Sequence, residues 1–153
     1  MMSSADFDQP YRGGFVGDEH HYALTIYFED TDAAGVVYHA NYIRFLERAR
    51  SDMLRAAGAD FIGLHHEGGG TYVVAEVHIR YRQPARLGDD LVVLSRMTEL
   101  HAASIVIQQI VMRAGQVLAE ATVTAAFIGP GGRPQRQPKE WIEKFRDLSR
   151  FSQ

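Results

Sequence analysis

The chain has 153 residues, 46% of them hydrophobic and 23% charged, with a net charge of −3. That acidic balance speaks against a nucleic-acid partner, which calls for a strongly basic face. With no cysteine the chain can hold no disulfide, thiolate metal site or cysteine nucleophile, which fits a reducing, cytoplasmic compartment.

Residues 1–18, MMSSADFDQPYRGGFVGD, are polar, acidic and glycine-rich. They read as a loosely ordered extension ahead of one domain over residues 19–153. They contain no apolar core of a secretory leader. No apolar run in the chain nears the roughly 18–20 residues that span a bilayer, so no membrane insertion is expected. His20 to Phe28 is aromatic and β-branched and predicts a strand. From Asn41 to Ala57 the period becomes helical. Tyr42, Phe45, Leu46, Ala49, Met53 and Ala57 share one face, while Arg44, Glu47, Arg48, Ser51, Asp52 and Arg55 share the other. Arg48 and Asp52 are expected to pair on the wet side, worth only about a few tenths of a kcal/mol. Gly58 ends this helix as a C′ glycine would, and a short helix is expected over Asp60 to His66.

Four strands follow: Thr71 to Tyr81, Asp90 to Leu100, Ser104 to Arg113 and Gln116 to Ile128. Turns are expected near His101-Ala102 and Ala114-Gly115. On the last strand Val117, Ala119, Ala121, Val123, Ala125 and Phe127 alternate onto one face. Lys139 to Leu148 predicts a terminal helix with Trp141 as a packing anchor. This order gives an α+β fold, a five-stranded antiparallel sheet with one long helix along it. One helix covers one face of such a sheet. The remaining edge or face predicts self-association.

The stretch between the first strand and the helix is YFEDTDAAGVVYHANY, residues 27–42. Unpaired N–H groups at a helix start favour negative charge, and a glycine turn lets backbone approach a ligand closely. Such a turn can hold a developing oxyanion, with Asp32 as nucleophile or as the base that activates water. His39 would position water, substrate or the carboxylate. By spacing alone the acids read first as caps and dipole partners, and His39 as a surface residue. No G-x-S-x-G elbow is present, so a carboxylate has to carry any hydrolysis.

This stretch, continuing to F-L-E-R-A-R, resembles the signature of the hotdog-fold acyl-CoA thioesterases. The likeness is greatest to the branch associated with the Tol-Pal envelope system, related to the 4-hydroxybenzoyl-CoA thioesterases. QPARLGDD, residues 83–90, resembles the family's P-A-R-x-x-D turn. The resemblance implies a five-stranded sheet wrapped around a long helix, paired into a homodimer and commonly a homotetramer, with the active site at the subunit interface. It implies that Asp32 is the catalytic carboxylate and that His39 is the branch's histidine. The backbone N–H at position 39 would polarise the thioester carbonyl. Gly35 would be the turn glycine and Tyr38 a neighbour of the acyl site, while Asp30 has no chemical role there and is read as structural. Ala34 stands where a second glycine is frequent.

An acyl-CoA substrate brings phosphates, which predicts cations near the pocket mouth. Arg80, Arg82 and Arg86 are the first candidates, with Arg133, Arg136 and Lys139 second. Taken singly, each reads first as a solvated charge on a strand end or turn. An acyl-carrier protein is an alternative donor of the acyl group. Histidines at 20, 21, 65, 66, 78 and 101 lack the H-x-x-x-H or H-E-x-x-H spacing, so no metal or other cofactor is expected. Other classes stay open: a hotdog acyl dehydratase, against which the D-x-D-x-x-G-V-V-Y-H order speaks, and a non-catalytic acyl-CoA-binding or envelope scaffold protein.

Overall fold

The structure, a computed structural model, describes residues 1–149; residues 150–153, the end of the expected domain, lie outside the described residues. Its sheet has six antiparallel strands: β1 (Gly14–Val16), β2 (Glu19–Thr25), β3 (Thr71–Tyr81), β4 (Asp90–Leu100), β5 (Ser104–Arg113) and β6 (Gln116–Ile128). They run in the order β1-β2-β4-β5-β6-β3. The β5–β6 hairpin turns on Ala114 and Gly115, both with positive φ, as a two-residue loop matched to strand twist requires.

The sheet therefore has one strand more than the five expected. The extra strand is β1, in the stretch read as an extension. Gly17 at φ 63° turns the chain back so that Phe15 pairs with His20. β2 ends earlier than expected: the Ile26 N–H still donates to the Asp89 carbonyl, but the Asp89 N–H turns away to the Arg86 carbonyl and Phe28–Asp30 form a 3₁₀ turn. On β6 the register slips between Val111 and Met112 of its neighbour, so Leu118 is an extra residue. Leu118 is fully buried, whereas Val117, expected on the core face, is only half-buried.

Helix α1 (Asn41–Ala56) lies along the sheet and buries Tyr42, Phe45, Leu46, Ala49 and Met53. Its end is a Schellman motif: the Gly58 N–H donates to Arg55 and the Ala59 N–H to Leu54. Gly58 takes φ 88° to make it. Asp60 caps α2 (Phe61–His66) by accepting the Gly63 N–H. On α3 (Lys139–Ser149) Trp141 and Phe145 are buried, and Trp141 packs on Tyr72 and Phe127.

The Arg48–Asp52 pair expected on the wet face does not form. Asp52 is instead covered by the N-terminal segment. Its carboxylate accepts the Gly13 N–H at 2.9 Å, Arg55 Nε at 3.1 Å and bonds His20 Nε2 at 2.7 Å. Burial pushes the Asp52 carboxyl up, but the hydrogen bonds from Arg55, His20 and Gly13 hold it below the usual range. Burial draws the fully enclosed His20 imidazole down, outweighing its bond to Asp52. Both groups make acid destabilising, in different windows. Below about pH 6.5 the unfolded histidine takes up a proton that the buried ring resists, so stability falls toward its lowered folded value. Asp52 adds a loss below its ordinary 3.8. Thermal melts should show a falling midpoint between pH 7.5 and 5.5. His20→Gln, which keeps a donor for Asp52 but does not titrate, should flatten that slope.

Candidate active site

The loop from Tyr27 to Ala40 is fastened at both ends by Asp30. Its carboxylate accepts the Tyr27 N–H at 2.9 Å and lies 3.4 Å from Asn41 Nδ2, while its carbonyl accepts the Tyr38 N–H at 3.0 Å. This is the structural part read for it from the sequence. Asp32 is exposed at the tip. Its Oδ1 accepts the Ala34 N–H at 2.8 Å, and its carbonyl accepts the Gly35 N–H at 3.1 Å. Asp32 Oδ2 has no partner among the described residues. Gly35 sits at φ 79°, where a side chain is strained, so the turn requires glycine.

The return limb of the loop is laced to the P-A-R turn. Val37 N–H donates to the Ala85 carbonyl at 2.9 Å and Leu87 N–H to the Gly35 carbonyl at 3.2 Å, and Val36 bridges Arg86. Asp89 shapes that turn by accepting the Arg86 N–H and Arg113 Nη1, each at 2.8 Å. Those two donors, the Arg86 amide foremost, hold its carboxyl below the usual carboxylate range. The motif made Asp89 visible in the sequence. Nothing local in the sequence marked Arg113 as its partner.

At the entrance to α1 the carbonyls are committed. The Tyr38 carbonyl accepts the Asn41 N–H at 2.8 Å, and the His39 carbonyl accepts the Tyr81 hydroxyl at 3.0 Å. The N–H groups of His39 and Ala40 have no acceptor among the described residues, and no side chain caps the helix. The His39 ring lies 4.7 Å from the Tyr38 ring and meets Tyr81 edge-on at 6.4 Å. Tyr81 in turn packs edge-on against Tyr42 at 5.3 Å. The Tyr42 oxygen accepts the Ala85 N–H at 3.2 Å. Burial pushes both phenols above their ordinary value, so both remain neutral. Tyr81 was not singled out in the sequence. Its place at the last residue of a strand, just before Gln83-Pro84, was the available signal.

The structure thus brings Asp32, Gly35, Tyr38, His39 and the backbone of Arg86 to one loop cluster. It does not bring Arg80 and Arg82 there. Arg80 lies opposite Glu120 in the β3–β6 register, and Arg82 pairs with Glu120 at 2.7 Å. Glu120 points away from the core face defined by its buried neighbours Ala119 and Ala121. The two arginines therefore stand on the sheet face opposite α1. Among the described residues no group of three His, Asp or Glu side chains is placed to hold a metal ion, and no helix is long and apolar enough to cross a membrane.

The signature loop at the head of a helix wrapped by an antiparallel sheet defines a class, and residues 26–147 match its family model, the Thioesterase-like superfamily. The chain belongs to this hotdog-fold family. Among its relatives is the acyl-CoA thioesterase YbgC of Haemophilus influenzae, 38% identical over 128 residues, which cover 83% of this chain and 94% of that protein. A probable thioesterase from Bartonella henselae superposes with a TM-score of 0.70 at 32% identity, over 79% of this chain and 99% of that one. Slr0204, a 1,4-dihydroxy-2-naphthoyl-CoA thioesterase from Synechocystis, does so with a TM-score of 0.79 at 25% identity, over 85% and 97%.

Proposed function

We propose that this chain is an acyl-CoA thioesterase in which Asp32 supplies the carboxylate and the entrance of α1 supplies the oxyanion site. The thioester carbonyl oxygen is received by the free N–H groups of His39 and Ala40. Asp32 takes a proton from water as the water oxygen attacks the carbonyl carbon, or attacks that carbon itself to form an anhydride that water then opens. The C–S bond breaks, and CoA leaves as a thiol once its sulfur is protonated. Preorganised backbone donors stabilise the tetrahedral oxyanion without reorganising. His39 and Tyr38 flank the reacting carbon, and Gly35 keeps the turn open beside it. The observation that carries this reading is the pair of unpaired helix-entry amides on the loop that also fixes the Asp32 carboxylate through Ala34.

Arg86, whose backbone joins the same loop, is the first contact for the CoA phosphates. Arg80 and Arg82 reach CoA only from the outer sheet face. β3, an eleven-residue edge strand with Val73 and Val74 exposed, supports a homodimer joined edge to edge. The reading extends to dimers paired as a tetramer, to a cytoplasmic location and, by likeness of the signature, to the Tol-Pal envelope system.

Turnover of short, long and aromatic acyl-CoAs, followed as released thiol, tests the activity. Inertness across the panel would contradict it. Tyr81→Phe should lower kcat about fivefold with KM unchanged, the loss of one neutral hydrogen bond worth roughly 1 kcal/mol. A rise in KM alone would show that the Tyr81–His39 bond does not position the oxyanion donors.

A further inference from the structure

Arg50 sits on the sheet-facing side of α1 and is only 8% exposed. Of its guanidinium N–H donors the structure pairs one, Nη1 to Gln109 Oε1 at 3.0 Å. Gln109 is fully buried and its own amide is committed to the Leu46 carbonyl at 3.0 Å and the Ser95 hydroxyl at 2.9 Å. Among the described residues no carboxylate lies within ion-pair distance of Arg50. Glu47 is near enough to favour the charged guanidinium, against the burial that disfavours it. The Glu47 side chain is itself exposed and accepts the Ser51 hydroxyl at 3.2 Å. Burying a cation without an anion is unfavourable. Its one neutral acceptor offsets little of that.

Arg50 also lines a cavity of about 160 Å³ between α1 and the sheet, walled by Leu54, Tyr72, Val74 and Ile107. That is room for a short acyl chain or one aromatic ring. The cavity opens beside the Thr71–Val74 end of β3, whereas the loop of Asp32 and His39 hangs on its other end through Tyr81. If two β3 edges pair about a two-fold axis normal to the sheet, they run antiparallel. The Thr71 end of one subunit then lies beside the partner subunit's Tyr81, and so beside the partner's His39.

We infer that this cavity receives the far end of the acyl group held at the partner's catalytic loop, and that Arg50 makes it a subsite for acyl groups ending in a carboxylate. The inference rests on the thioesterase reading and on the β3 dimer. A carboxylate there completes a charge-assisted pair with the free guanidinium donors, while an alkyl end leaves the cation unpaired. Glu47 at the rim repels a second anion, which limits the subsite to one.

The test compares kcat/KM for CoA thioesters matched in length: butyryl against succinyl, pentanoyl against glutaryl, hexanoyl against adipyl. Uncatalysed hydrolysis is subtracted from each, and the wild type is run beside Arg50→Gln and Arg50→Lys. At least one ω-carboxyacyl thioester should be favoured about tenfold or more by the wild type. Arg50→Gln should erase that preference and Arg50→Lys should keep part of it. A wild type that hydrolyses the alkyl thioesters without favouring any ω-carboxy partner overturns the subsite and leaves the thioesterase reading standing. So does an Arg50→Gln variant that keeps the preference. If Arg50→Gln does not fold, the wild-type ratios decide alone. Inertness toward every thioester overturns both readings together.

Discussion

Val77→Glu should turn the protein into a monomer and lower turnover about a hundredfold, the scale of a small misplacement of reacting groups. The two edges of the sheet differ in length. β1 is an edge of three residues, too short to recruit another strand. β3 is an edge of eleven residues that, among the described residues, pairs only with β6. Val74 is 49% exposed and Tyr81 45%, so the unpaired edge carries apolar surface along its length. A long apolar edge of this kind is a template for pairing. Val77 lies opposite the fully buried Val123, which puts it on the helix side of the sheet. In a two-fold interface each subunit would set the new carboxylate against apolar surface of its copy. Light scattering after size exclusion gives the mass, circular dichroism confirms the fold, and thiol release gives the rate. A folded monomer with full activity would show that each chain carries a complete site. A persistent dimer would show that pairing occurs elsewhere.

Much of this architecture could be read from local pattern. The last four strands have the expected limits because alternation is interrupted by turn residues, most plainly Ala114-Gly115. The long helix is bounded by its 3.6 period and by Gly58. Long-range contacts were not legible. Helical arithmetic puts Asp52 on the solvent face, and only the return of Gly13 and His20 over it creates its buried network. β1 is three residues in a polar stretch and exists as a strand only through its pairing with Glu19–His21. The bulge at Leu118 shifts an alternation that sequence reads as continuous.

The site divides along the same line. Asp32, Gly35 and His39 lie in one short motif, so their closeness in the fold could be read from it. Tyr81 reaches His39 from 42 residues away, and Glu120, which captures Arg82, is 38 residues from it. Arg50 did carry a signal. It falls between Leu46 and Leu54 on the helical wheel, at the border of the apolar face, where a charged residue asks for a partner.

Asp32→Asn should lower kcat by about a thousandfold, within the span that a positioned acid–base group contributes, with KM little changed. Asparagine keeps the side-chain oxygen that accepts the Ala34 N–H, so the turn and the helix entrance should survive. What it loses is the negative charge, and with it both the basicity to activate water and the capacity to form an anhydride. Loss in kcat and kcat/KM together marks a group that acts in the transition state rather than in substrate binding. The measurement is released CoA thiol, read with a thiol reagent for wild type and variant on the best thioester of the panel. A chain without cysteine adds no background of its own. A folded Asp32→Asn protein with near-zero rate beside an active wild type is the predicted result, and a variant as active as wild type would contradict the account.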